Sequence, residues 1–246
     1  NFLGNAYINF GNPIDLGDFL ENQGVKDYFL ESALEKPEWL LDATDNLGKK
    51  VIREINSKAV LTSSSLVATA IVSNKSLTMK KSDLIQRIEF FLSLIKDSNK
   101  DIWIPITDVN EILKKTEDLG LIEYNENLKT YSVDKEKYAL LNFYKNNTIH
   151  LFTIFSLICI SLKNSNSQNK TEIFSALNMT YPYLYKRLSL INEQADLEEE
   201  INNSLDYLTK IEIINKNKAY YSPSKLTPKQ DMFDSISNLV EEYLES

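Results

Sequence analysis

One histidine, one cysteine and six glycines are spread over 246 residues, and each scarcity removes a class of chemistry. With His150 alone, a multi-histidine metal site is excluded and one candidate general base of that type remains. Cys159 has no partner for an intrachain disulfide; inside an apolar run it reads as a small buried hydrophobe in a reducing compartment. The scattered glycines form neither G-x-G-x-x-G nor a phosphate loop ending in Gly-Lys-Ser/Thr, so no nucleotide cradle is indicated. The longest apolar stretch, Ile149 to Leu162, is 14 residues. A helix needs roughly 20 to cross a bilayer, so this one reads as a buried core helix. No basic, apolar and small-residue order typical of a signal peptide opens the chain. It begins at Asn1 rather than methionine, which points to a piece of a longer polypeptide. Basic charge is in deficit, 27 side chains against 35 acidic, and the net charge of -8 repels phosphate backbones and anionic lipid alike.

What is present is enough apolar material, 43% of residues, for one sizeable core or two small ones. Ala6 to Phe10 alternates like a short strand, stopped by the turn Gly11-Asn12-Pro13. With no hairpin mate nearby, that strand is expected to pair upstream, which makes residues 1–35 the trailing edge of another domain and 36–246 a helical one. Pro37 to Ser57 becomes helical with Val51, Ile52 and Ile55 on one face, and Ala59 to Val72 reads as a second helix rich in small residues. Leu84, Ile85, Ile88, Leu92 and Ile95 form an amphipathic stripe that leaves Arg87 and Glu89 on the wet side.

Leu77 to Val133 and Thr171 to Pro223 share one order of elements: helices, then two short β-branched or tyrosine-bearing runs separated by Asn and Lys. The first ends LGLIEYNENLKTYSV and the second LTKIEIINKNKAYYSP. Each reads as helices closed by a β-hairpin, a winged-helix-like arrangement. Between them Lys135 to Leu162 lacks proline and glycine and is expected to run as one long helix. The last helix carries a capping box, with Thr227 as N-cap, Pro228 at the first helical position and Gln230 three after the cap. The fold expected is therefore mainly α, a helical domain with two small β-wings behind a strand-bearing remnant of an α/β domain.

Candidate chemistry is sparse. His150 and Cys159 lie nine residues apart, about 14 Å along a helix, and would not meet as a nucleophile and base. The acidic run Asp196 to Glu200 lacks the glycine and spaced ligands of a calcium loop and reads as a solvated face. Tyr181, Tyr183 and Tyr185 around Pro182 could stack on bases or sugars, yet such clusters are more often core.

Read as a string, Tyr7-Ile8-Asn9-Phe10-Gly11-Asn12-Pro13-Ile14 resembles the Y-V-N-F-G-E-P-I segment of bacterial glycerol-3-phosphate acyltransferases, with Asn12 where that family usually carries glutamate. Lys36-Pro37-Glu38-Trp39-Leu40 is similar to its R-P-x-W-L, Ser76-Leu77-Thr78 to an S-L-T element, and Tyr144-Lys145-Asn146-Asn147-Thr148-Ile149-His150 to Y-R-N-N-x-x-H. The resemblance implies the carboxy-terminal part of an enzyme that moves a fatty acyl group from acyl-CoA or acyl-carrier protein to the 1-hydroxyl of glycerol 3-phosphate. It also implies a parent at the cytoplasmic face of the inner membrane that needs no cofactor besides its acyl donor. That family's catalytic pair is a histidine with an aspartate five residues later, the aspartate orienting the imidazole. Phe155 stands five residues after His150, so the pair is expected upstream, and no catalytic residue is assigned in this chain. Asn9, Phe10, Gly11, Pro13, Tyr144, Asn146, Asn147 and His150 match family positions and are given structural roles. The partner implied is the upstream catalytic domain of the same polypeptide. The two wings also fit a binding module for protein or nucleic acid. Lys186-Arg187 is the one paired basic spot there, with Glu193, Asp196 and Glu198 following it, which disfavours DNA.

Overall fold

A computed structural model describes residues 5–25, 36–74, 76–97, 102–188, 190 and 197–244. The expected duplication is present and runs further than the sequence pattern shows. The first copy is α3 (Ser63–Val72), β1 (Thr78–Lys80), α4 (Lys81–Lys96), α5 (Val109–Asp118), β2 (Glu123–Asn125), β3 (Thr130–Ser132) and α6 (Tyr138–Asn146). The second is α7 (Thr153–Ser165), β4 (Gln168–Asn169), α8 (Lys170–Leu188), α9 (Leu197–Lys210), β5 (Ile214–Asn217), β6 (Tyr220–Pro223) and α10 (Lys229–Leu244). Each wing is a three-stranded antiparallel sheet with its last strand in the centre, β1-β3-β2 and β4-β6-β5. In each copy the opening helix is the hub: α3 packs on α4, α5 and α6, and α7 on α8, α9 and α10.

The hubs are helices without a polar face, because every residue from Ser64 to Val72 is buried, as are nine of the thirteen in α7. Their neighbours are amphipathic. In α8 the buried set Ile173, Leu177, Tyr181 and Leu184 follows the 3.6-residue period, and the helix continues through Pro182. The two copies share one continuous core. Polar ties cross it: Tyr207 on α9 donates to the Ser93 carbonyl at 3.2 Å and to Asp97 at 3.1 Å on α4, and the Asn238 amide on α10 donates to the Ser73 carbonyl at 2.9 Å.

Several expectations change. Residues 5–15 form no strand: they run as an extended strap beside α2 (Trp39–Ser57), held by side-chain contacts instead of a ladder. The helix expected from Ala59 starts at Ser63, where the Thr62 hydroxyl accepts from the Ser65 N–H at 3.2 Å. Val60 is drawn into a parallel bridge with Trp103. The long helix expected over Lys135 to Leu162 breaks between α6 and α7 around a 3-10 turn, Ile149–Leu151. The Thr148 hydroxyl turns back to the Lys145 carbonyl at 3.4 Å, and the break lets each copy own one of the two halves. The last helix begins at Lys229, and the Gln230 amide reaches forward to Asp234 at 3.3 Å, so the capping box does not form. Arg87 is not on the wet side: it is partly buried between Asn74, at 3.0 Å, and Ser235 of α10.

A second, smaller cluster joins Phe19, Leu20 and Val25, in and just after α1 (Leu16–Asn22), to Ala43 of α2. The acids of the run 191–196 lie outside the described residues.

The helices α5 and α9 end alike. The N–H groups of Leu121 and Ile213 return five residues to the carbonyls of Thr116 and Leu208, both at 3.0 Å, around a left-handed residue. That residue is Gly120 (φ 66°) in the first copy and Glu212 (φ 63°) in the second. No atom lies within 4 Å of a Cβ built on Gly120, so only the backbone conformation resists substitution. Gly120→Ala is therefore expected to lose about 1 kcal/mol in urea unfolding, and Glu212→Gly to gain stability or leave it unchanged.

Candidate functional site

Family-matching residues from the start and from the middle of the sequence converge on the C-terminal end of α2. A helix leaves its last carbonyls without intrahelical donors. Here the Asn9 side-chain amide donates to the Lys58 carbonyl at 3.2 Å, and His150 Nε2 lies 3.1 Å from the Asn56 carbonyl. Gly11 passes so close to α2 that a Cβ there would sit 3.1 Å from Glu54 Oε2. The same Glu54 oxygen accepts the Asn12 N–H at 3.3 Å, a backbone contact open to any side chain at that position. The Tyr7 ring meets Trp103 edge-on, centroids 5.5 Å apart. Strap and helix enclose an open cleft of about 610 Å³ lined by Tyr7, Asn9, Val51, Glu54 and Ile55 among others.

His150 is buried in the turn that separates the copies. A ring nitrogen facing a carbonyl oxygen is the protonated one, so Nε2 is committed as a donor and is not placed to take a proton from a substrate. Cys159 is fully buried on α7, and burial pushes its thiol well above the ordinary range, which makes it an inert core residue. Among the described residues no group of three or more His, Cys, Asp or Glu is arranged to hold a metal.

The second motif secures the other face of the break. The Tyr243 hydroxyl of α10 donates to the Asn146 side chain, and the partly buried Tyr144 packs on the core. Asn147 caps α6 and is exposed, as are Phe10 and Pro13. Between them sits a group that sequence reasoning left unassigned: Lys145, whose side chain is 1% exposed, paired with Glu242 and lying over the Tyr243 ring at 5.1 Å from its centroid. The signal was its place four residues after Leu141 on an otherwise apolar stripe. Burial lowers its pKa, opposed by Glu242. Tyr181 is core, while Tyr183 pairs with Arg187 at 2.8 Å. The helix before the second hairpin, α9, opens with Glu198, Glu199 and Glu200, a charge that repels nucleic acid.

Only a structural junction, with no converging acid, base and nucleophile, is built from these residues, so the comparison with known sequences decides what the junction belongs to. The sequence model described as the glycerol-3-phosphate acyltransferase C-terminal region matches residues 1–246. The chain belongs to this family. Among similar curated proteins, the glycerol-3-phosphate acyltransferase of Haemophilus influenzae (strain PittEE) is 25% identical over 229 residues, covering 91% of this chain and 28% of the relative. That of Pasteurella multocida (strain Pm70) is 25% identical over 249 residues, 99% of this chain and 30% of the relative. That of Actinobacillus pleuropneumoniae serotype 3 is 27% identical over 206 residues, 81% and 25%. The chain thus spans under a third of the length of these acyltransferases.

Removing Glu242 would leave the Lys145 ammonium buried without its partner. Because the Glu242 side chain is itself 49% exposed, Glu242→Ala is expected to cost about 2–3 kcal/mol, below the range for a fully buried pair. Folded Lys145 releases its proton at lower pH than an unfolded lysine, so its charge opposes folding at neutral pH, and the opposition fades as pH rises toward the unfolded value of 10.5. The deficit of Glu242→Ala against the parent chain should therefore be smaller in urea melts at about pH 9.5 than at about pH 7.

Proposed function

We propose that this chain is the accessory C-terminal part of an enzyme that transfers a fatty acyl group from acyl-CoA or acyl-carrier protein to the 1-hydroxyl of sn-glycerol 3-phosphate, the entry to phospholipid synthesis. The observation that carries the reading is the family match over all 246 residues. The ordered motifs support it: Asn9 to Pro13, Lys36 to Leu40, Ser76 to Thr78 and Tyr144 to His150 occur in the family's order, and Asn9 and His150 from the first and last of them reach the same end of α2.

On this reading the histidine and aspartate that do the chemistry lie in the preceding part of the polypeptide, and residues 1–35 are the trailing edge of that catalytic domain. The small cluster of Phe19, Leu20, Val25 and Ala43 is then the seam to the accessory domain, 36–246. Asn9 and His150 contribute position: each caps the end of α2 and so holds the entering strap at a set distance from the double winged-helix core. The working enzyme acts at the cytoplasmic side of the inner membrane, where the acceptor and the acyl donor meet the lipid phase. No helix among the described residues is long and apolar enough to cross a membrane.

Two measurements test this. The 246-residue chain alone should show no transfer of radiolabelled acyl groups to glycerol 3-phosphate, and turnover by it would overturn the division of labour. In the full-length polypeptide, His150→Gln should keep kcat within about threefold while lowering the melting temperature, as for a capping side chain rather than a base.

A further inference from the structure

The helix α2 presents two faces of different character. Ala43, Leu47, Lys50 and Glu54 share one face and are used: Ala43 and Leu47 pack in the α1 cluster, Lys50 lies over the Phe19 ring, and Glu54 holds the strap. A second face, through Leu41, Gly48, Val51 and Ile55, is exposed along its length, Leu41 at 76% and Ile55 at 64%. Leu41 stands at one end of this face, separated from Gly48 by the exposed Thr44 and Asp45, and from Gly48 through Val51 and Ile52 to Ile55 the face carries no charge and is apolar. The extended strap alternates in the same sense: Tyr7, Asn9 and Gly11 line the cleft toward α2, while Ile8 and Phe10, the latter 84% exposed, are left to the outside.

Gly48 supplies a second, independent sign. Glycine in the middle of a helix weakens it relative to alanine, and no atom of the chain lies within 4 Å of a Cβ built there. Nothing in the described structure uses the notch. A notch in an apolar stripe is what close approach of another backbone requires.

We propose that this face of α2, which runs from Gly48 into the mouth of the cleft where Val51 and Ile55 meet the strap, is the seat on which the preceding part of the same polypeptide docks. The inference rests on reading the chain as the C-terminal part of a longer acyltransferase. The family is defined as a C-terminal region, and 70% or more of the relatives' length lies outside the match. The polypeptide enters this structure along the strap, so whatever precedes it is delivered to this face. A lipid surface fits less well. Within α2, Asp42, Asp45 and Glu54 offset Lys49, Lys50 and Arg53, so the helix lacks the cationic excess that anionic headgroups attract.

The test is the reactivity of a thiol introduced by Ile55→Cys toward a water-soluble maleimide, read on the peptide containing position 55 by mass spectrometry. In the 246-residue chain it should react like a free thiol. In the full-length polypeptide without lipid it should react at least about tenfold more slowly. Adding Gly48→Leu should restore fast labelling in the full-length polypeptide while leaving the melting temperature of the 246-residue chain unchanged or raised. Equal labelling of the two lengths overturns the proposal. Slowing that appears only with anionic vesicles assigns the face to membrane, and slowing that grows with concentration of the short chain assigns it to a second copy; either result also overturns it. Acyl transfer is assayed separately, so protection without turnover would fail the catalytic reading and leave the docking intact.

Discussion

Neither α3 nor α7 has a side that tolerates water, and the remainder of the double winged-helix unit is arranged to cover them. Each buried Leu, Ile or Phe contributes about 1.5–3 kcal/mol when removed from water, and these two helices can collect it only if neighbours close over every face. That is why each copy needs its trailing helix, α6 over α3 and α10 over α7, and why the wings alone would not complete either unit. Polar groups inside this wrapping are paired locally: the Thr69 hydroxyl donates to the Ser65 carbonyl at 2.8 Å, and the Ser156 hydroxyl to the Ser237 carbonyl at 3.2 Å.

The copies differ where their surroundings differ. In the first, Gly120 meets the left-handed turn at no steric cost; in the second, Glu212 accepts the same geometry. The first copy's trailing helix ends at the buried Lys145, which reaches across to Glu242 at the end of the second copy's trailing helix. Equivalent ends of equivalent helices are thereby joined by an ion pair that neither copy could make alone.

The mainly helical fold, the two wings and their order were legible because they rest on local periodicity: the stripe from Leu84 to Ile95, the Asn-Lys hairpins and the apolar run at Ile149 to Leu162. The errors came from partners distant in sequence. Arg87 sits on the polar side of its own helix, and that side becomes internal through Asn74 and through Ser235, the latter 148 residues away. The break after Asn146 was hidden because nothing forbids a helix there; the gain lies in giving α3 and α7 separate covers. Lys145 and Glu242 are unremarkable in isolation and acquire a role only when their helices cross. At the α2 junction the motif residues were visible as a resemblance, but a string match cannot show that Asn9 and His150, 141 positions apart, cap carbonyls two residues from each other.

The ties from α10 have a consequence for how the protein is made. Asn238 holds the Ser73 carbonyl at the end of α3, and Ser235 meets Arg87 on α4, so a helix from the second copy supplies contacts inside the first. During synthesis the first copy emerges with that groove unfilled, and it stays unfilled until the ribosome has delivered residues beyond 238. A chain that stops before α10 therefore leaves the Ser73 carbonyl and Arg87 without these partners and leaves α7 without its main cover. Translation through α10 thus closes the second hub and, with the same helix, completes two polar ties of the first copy.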